Sequence, residues 1–146
     1  MLDLSDHDLI ASVGNPREEQ FFVEWFEVHK RLLERCTDAG SPVQLKRTHQ
    51  PYLRDGQIIY QDEERRIRIG IKPCDCIVLT TDDVAMVGEF CYDVGNRHLP
   101  LFVMEENGMA VAYDGRLYAA LVHKYAGKVC LQSLKLLPQR ALSEFS

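Results

Sequence analysis

Long apolar runs are missing from this chain. Nothing approaches the roughly 18 consecutive apolar residues of a membrane helix, and the opening MLDLSDHDL lacks the positive and apolar regions of a secretion signal. A cytoplasmic protein without a membrane partner is therefore expected. Positive charge is also short: 17 Lys and Arg stand against 22 Asp and Glu, a formal charge of −5. A nucleic-acid binder needs a basic face to neutralise phosphates, so no nucleic-acid partner is expected. Basic residues do gather in LKRTHQ and ERRIRIGIK, but the acidic QDEE beside the second makes it a solvated strand face. Cysteine is sparse and odd in number, at Cys36, Cys74, Cys76, Cys91 and Cys130, which fits reduced thiols rather than a disulfide framework. Phosphate loop, serine elbow and Cys-His-Asp order are absent, and EFCYD and MEEN carry no paired-carboxylate logic. The expectation is a protein that is not an enzyme.

With 46% apolar and 27% charged residues the composition is that of a globular protein, and 146 residues hold one ordinary domain or two small ones. The first twenty residues read as a loosely ordered lead-in. The segment FFVEWFEVHKRLLERC fits a helix by its leucines and a β-rich run by its alternation, and TDAGSP after it closes a hairpin with VQLKR. Asp55-Gly56 marks a turn, QIIYQ a short strand, and RRIRIGI a strand with Ile67, Ile69 and Ile71 on one face.

From Pro73 the pattern changes. CDCIVL is strand-like, and TTDD supplies a helix cap and an acidic first turn. Val84, Val87, Phe90, Cys91 and Val94 recur at helical spacing until Gly95. LPLFVM and MAVAY are strands around an ENG turn. Asp114 caps a helix with Leu117, Ala120, Leu121 and Tyr125 on one face, Gly127 stops it, and KVCLQSL is the last strand. The order β-α-β-β-α-β is the ferredoxin-like arrangement, an antiparallel sheet with both helices on one face. The expected class is α+β, with a small all-β domain over residues 1–73 and a ferredoxin-like domain over residues 74–146.

Five histidines are candidates for chemistry. His98, in CYDVGNRHLPLF, falls between the helix and the strand that follows it, at the strand's N-terminal end. One imidazole cannot complete a metal site, but a two-fold dimer would bring a second copy to the axis. His123 lies two residues beyond Leu121, roughly 200° around an ideal helix, and so faces outward. His29 and His49 sit among charged residues as solvated side chains, and His7 lies in the lead-in. Cys74 and Cys76 share a strand face, either as two sulfurs for one metal or as small apolar residues on a buried surface.

The run CYDVGNRHLPL, preceded by TTDDVAMVGEF, resembles the urease accessory protein E (UreE) family, in which CY-x-x-GNRH-x-P-L closes the first helix of the metal-binding domain. VHKRLLERCTDAG and YLRDGQIIYQDEERRIRI resemble the family's first hairpin and its LRDGDVL segment, so the likeness runs from about Trp25 to Leu137. It implies a cytosolic nickel metallochaperone for urease maturation. Its N-terminal domain would be peptide-binding, and its C-terminal domain would form a homodimer with metal at the two-fold axis. The family's principal ligand falls on His98, with Asn96 and Arg97 serving local geometry and interface packing. Ni(II) is the implied cargo, with Zn(II) or Cu(II) able to substitute. The implied partners are the urease accessory GTPase UreG and the complex of urease apoprotein with its accessory proteins. The chain departs from the family at AYDGRL, where Tyr113 and Gly115 replace imidazoles of a YHHDH run, and in having no histidine after His123. The alternative is a ferredoxin-like interaction module without metal traffic.

Overall fold

The computed structural model describes residues 1–5 and 16–142, and His7 lies outside them. Two compact units divide between Lys72 and Pro73. Among the described residues, no helix is long and apolar enough to cross a membrane.

Among its described residues the first unit contains six strands: β1 (Leu2–Ser5), β2 (Arg17–Val23), β3 (Leu32–Cys36), β4 (Pro42–Lys46), β5 (Ile58–Gln61) and β6 (Arg65–Ile71). They form two three-stranded sheets, ordered β1-β4-β3 and β2-β6-β5. The hairpins β3–β4 and β5–β6 are antiparallel, whereas β1 pairs with β4, and β2 with β6, in parallel. The expected lead-in is thus corrected: Leu2–Ser5 and the residues from Arg17 onward are paired strands. Long-range parallel partners have no local turn to announce them, which is why the sequence concealed them. The ambiguous segment after Gln20 resolves into the end of β2, a short 3-10 turn at Trp25–Glu27, and β3. Alternation puts Ile67, Ile69 and Ile71 inside with Phe21, Val23 and Ile59, all at most 1% exposed.

The second unit runs β7 (Cys74–Thr80), α1 (Val84–Gly95), β8 (Phe102–Met104), β9 (Gly108–Ala112), α2 (Gly115–Lys124) and β10 (Val129–Leu134). Its antiparallel sheet has the order β10-β7-β9-β8, the ferredoxin-like arrangement. Ile77, Leu79, Met109 and Val111 project from one face and pack with Phe90 and Val94 of α1 and Leu117 and Leu121 of α2. Val84 and Ala120, expected on the apolar faces, are exposed. Val84 is the first residue of its helix, beyond the part that the sheet covers. After β10 the chain returns to β8, where Ala141 bridges Phe102 and the Leu142 amide donates to the Leu101 carbonyl.

Candidate metal centre

Helix α1 carries His98 to its position. Asp83 caps the helix, its carboxylate accepting from the amides of Ala85 and Met86 at 3.0 and 3.4 Å. The expected acidic first turn reduces to this cap, since no acidic residue follows it there. Phe90 and Val94 anchor the far end in the core, with Phe90 set edge-on against Tyr125 at 5.6 Å between centroids.

The GNRH residues then close the helix with backbone bonds. The Asn96 amide donates to Tyr92 O, that of Arg97 to Val94 O, and that of His98 to Gly95 O at 2.9 Å. Arg97 Nη1 donates to the Asp93 carbonyl at 3.0 Å, satisfying an orphan acceptor at the helix end with a cation that the dipole favours. His98 takes a left-handed backbone, φ 58°, and its side chain is exposed. A residue with a Cβ is uncommon there and costs roughly 1–3 kcal/mol. The expectation that His98 begins a strand is therefore corrected: it lies in the turn, and β8 starts only at Phe102. Pro100, which has no amide to give to a ladder, separates the two.

A polar anchor that sequence reading missed fixes this corner. The Asp93 carboxylate accepts from Tyr125 Oη at 2.6 Å and from Lys124 Nζ at 2.9 Å, tying the end of α1 to the end of α2. These hydrogen bonds, Tyr125 first, hold the Asp93 carboxyl below the usual carboxylate range despite partial burial. Burial, then the bond to Asp93, pushes the Tyr125 phenol up. The partners lie more than thirty positions apart, so no local pattern could have paired them.

The other candidates scatter. His123 is exposed on α2, as its helical angle predicts. His49 is exposed, whereas His29 is half-buried, its ring 5.7 Å from that of Tyr52 and edge-on, so its expected solvation is corrected. At AYDGRL, Tyr113 is exposed and Asp114 caps α2, accepting from the Leu117 amide at 2.9 Å. Cys74 and Cys76 do come together, with sulfurs 3.7 Å apart. Cys76 is buried, and desolvation, then the neighbouring Cys74, pushes its thiol up to about 12. Among the described residues, no group of three or more His, Cys, Asp or Glu side chains is placed to hold a metal ion. Within one chain, then, His98 is an exposed imidazole on a rigid corner, able to give one bond to a metal and no more.

No family model matches the chain. Individual relatives do. The urease accessory protein UreE of Acetivibrio thermocellus is 33% identical over 100 residues, which cover 68% of this chain and 65% of that protein. Those of Flavobacterium johnsoniae and Lysinibacillus sphaericus are 34% and 35% identical, over 58% and 67% of this chain and 52% and 66% of theirs. The chain thus spans between about half and just under two thirds of the length of these curated relatives. With the ferredoxin-like second unit and the GNRH helix end already in place, these similarities identify the chain as a member of the urease accessory protein UreE family.

Proposed function

We propose that this protein is a nickel metallochaperone that carries Ni(II) for assembly of the urease active site. In this reading a homodimer forms through the second unit, which begins at Pro73, and brings His98 of each subunit to the two-fold axis. The first unit, up to Lys72, engages a peptide of the maturation machinery. The proposed partners are the urease accessory GTPase UreG and the complex of urease apoprotein with its accessory proteins, all in the cytoplasm. The role is binding and delivery rather than catalysis.

The observation that carries the reading is the left-handed, exposed His98 at the end of α1. Strain at a position that glycine would fill at no cost calls for a reason to keep the side chain. A symmetric pair of imidazoles supplies one, because a lone histidine gains a second ligand from its symmetry mate without further sequence change. Tyr92 and Leu99, exposed on this corner, offer apolar surface for such a contact. Few protein ligands leave coordination positions open, as a carrier that must release its ion requires. Zn(II) and Cu(II) compete for the same imidazoles, since bare affinity across the divalent series does not favour nickel.

Calorimetric titration with nickel tests this directly. One nickel per dimer is expected, lost in His98→Ala and little changed in His123→Ala. Full binding by the His98→Ala protein would overturn the assignment. No binding at all by the natural sequence, or a monomer with and without nickel, would favour the interaction module instead.

A further inference from the structure

One group of metal-ligating side chains is left unused by His98. In β7, alternation places Cys74 and Cys76 on the same face, opposite to the one on which Ile77 and Leu79 meet the helices. The sulfurs there are 3.7 Å apart, and the Cys76 thiol also donates to the Cys74 carbonyl at 3.4 Å. Cys76 is fully buried, in register with Gln132 of β10 and Ala112 of β9, while Cys74 at the strand's start is half-buried. The pair thus has one fixed sulfur and one reachable from solvent.

The spacing selects a geometry. Two sulfurs on a tetrahedral ion, each at ~2.3 Å, are about 3.8 Å apart. Adjacent corners of a square plane at the same bond length are only about 3.3 Å apart. The observed separation matches the tetrahedral edge. Charge points the same way: two thiolates and a divalent ion make a neutral unit, the form a desolvated site tolerates best. Thiolate softness favours zinc over hard oxygen-seeking ions.

We propose that Cys74 and Cys76 form a second metal site, taking a tetrahedral, thiophilic divalent ion of the zinc class. Binding breaks two S–H bonds, forms two metal–sulfur bonds and releases two protons to solvent, with no change of oxidation state. Water on the Cys74 side completes the coordination and leaves the ion exchangeable. Cys130 lies on the same face two register pairs further on, opposite Val78, but its sulfur accepts from Gln132 Nε2 at 3.3 Å, so the set stays at two sulfurs.

The test uses the full-length reduced chain with the exposed Cys36 and Cys130 replaced by serine, titrated with cobalt(II) as a spectroscopic stand-in for zinc. A sulfur-to-cobalt charge-transfer band should grow to one equivalent per chain and collapse when zinc is added. It should survive His98→Ala, which separates this site from the nickel reading. Adding Cys74→Ser should weaken binding at least tenfold while helical circular dichroism is retained. Absence of the band in the His98→Ala protein, or a band unchanged by Cys74→Ser, would overturn the proposal. Should Cys74→Ser not fold, proton release decides: titration of the His98→Ala protein in buffers of different ionisation enthalpy should report two protons per zinc, and none would overturn it.

Discussion

The two units solve the problem of stability with different materials. The second buries a continuous apolar cluster between helices and sheet, from Ile77 and Leu79 through Phe90 and Val94 to Leu117 and Leu121. The first has an apolar core of its own, around Phe21, Val23, Ile59, Ile67 and Ile69, but adds to it buried carboxylates tied to cations and hydroxyls. Glu27 is nearly buried and accepts two bonds from the Arg35 guanidinium, at 2.9 and 2.7 Å. Glu19 is fully buried and accepts from Thr37 at 2.6 Å. Glu18, Glu19, Glu27 and Asp62 of the first unit are all held low, against Asp93 in the second. In the first unit these charge-assisted ties supplement the apolar core of two small sheets. The contrast implies different sensitivities: the first unit to acid, the second to loss of apolar volume.

The largest effect should come from emptying the second core. Phe90 is fully buried, and Phe90→Ala should destabilise by about 3–5 kcal/mol, transfer and cavity terms together. Two probes separate the units: the chain's one tryptophan, Trp25, lies in the first, and both α-helices of the described residues lie in the second. Denaturant curves of the variant should shift much further by helical circular dichroism than by tryptophan fluorescence. Equal shifts would show that the units unfold as one and that the contrast has no thermodynamic meaning.

Acid should reverse the order. The Arg35 hydrogen bonds hold the Glu27 carboxyl at about 2 against the desolvation that would raise it. A carboxylate held low stabilises the fold fully above its unfolded value, and that contribution disappears as pH falls from about 4.3 toward the folded value. With Arg35 partly open to solvent the contribution is about 2 kcal/mol. Tryptophan fluorescence should therefore report unfolding at higher pH than the helical signal does. Glu27→Ala should lower stability at neutral pH by a similar amount and flatten this acid dependence. An acid midpoint unmoved by the substitution would remove Glu27 from the account.

The same contrast governs what could be read from sequence. The second unit's elements carry local signals: a cap at Asp83 and another at Asp114, helical spacing through Phe90 and Val94, and a left-handed Gly127 after α2. Short connections then bring neighbours together, and the ferredoxin-like order follows. In the first unit β2 pairs with β6 across more than forty residues, register Arg17 to Arg65, and nothing near either strand encodes that partnership. At the candidate metal centre, the GNRH run was legible through family likeness, and His123 through helix geometry. The left-handed turn of His98 was not, because it depends on how Gly95, Arg97 and Pro100 share the closing of α1. The Asp93 anchor was invisible for the reason that hid β2 and β6: tertiary contacts choose partners that local pattern does not.

A smaller effect should follow from that anchor. Asp93→Asn keeps an acceptor for Tyr125 but removes the charge that Lys124 meets. A loss of about 1.5 kcal/mol is expected, seen by the helical probe and not by Trp25. Nickel affinity should fall as well if the anchor sets the position of the turn that bears His98. Unchanged stability would mean that the apolar contacts of Phe90 and Val94 fix the helix end unaided.

The smallest expected change has the opposite sign. At φ 58° the backbone of His98 is strained for any residue with a Cβ, and glycine relieves that strain at the expense of greater freedom in the unfolded chain. The net for His98→Gly is a gain of about 0.5–1 kcal/mol in chelator-treated protein. His98→Ala keeps the Cβ and the strain, so it should show no such gain, and the pair isolates the backbone from the lost imidazole. Both variants should lose nickel equally. Equal stability of the glycine and alanine proteins would show that the turn carries no strain, and the argument for a retained functional side chain at position 98 would lose its physical basis.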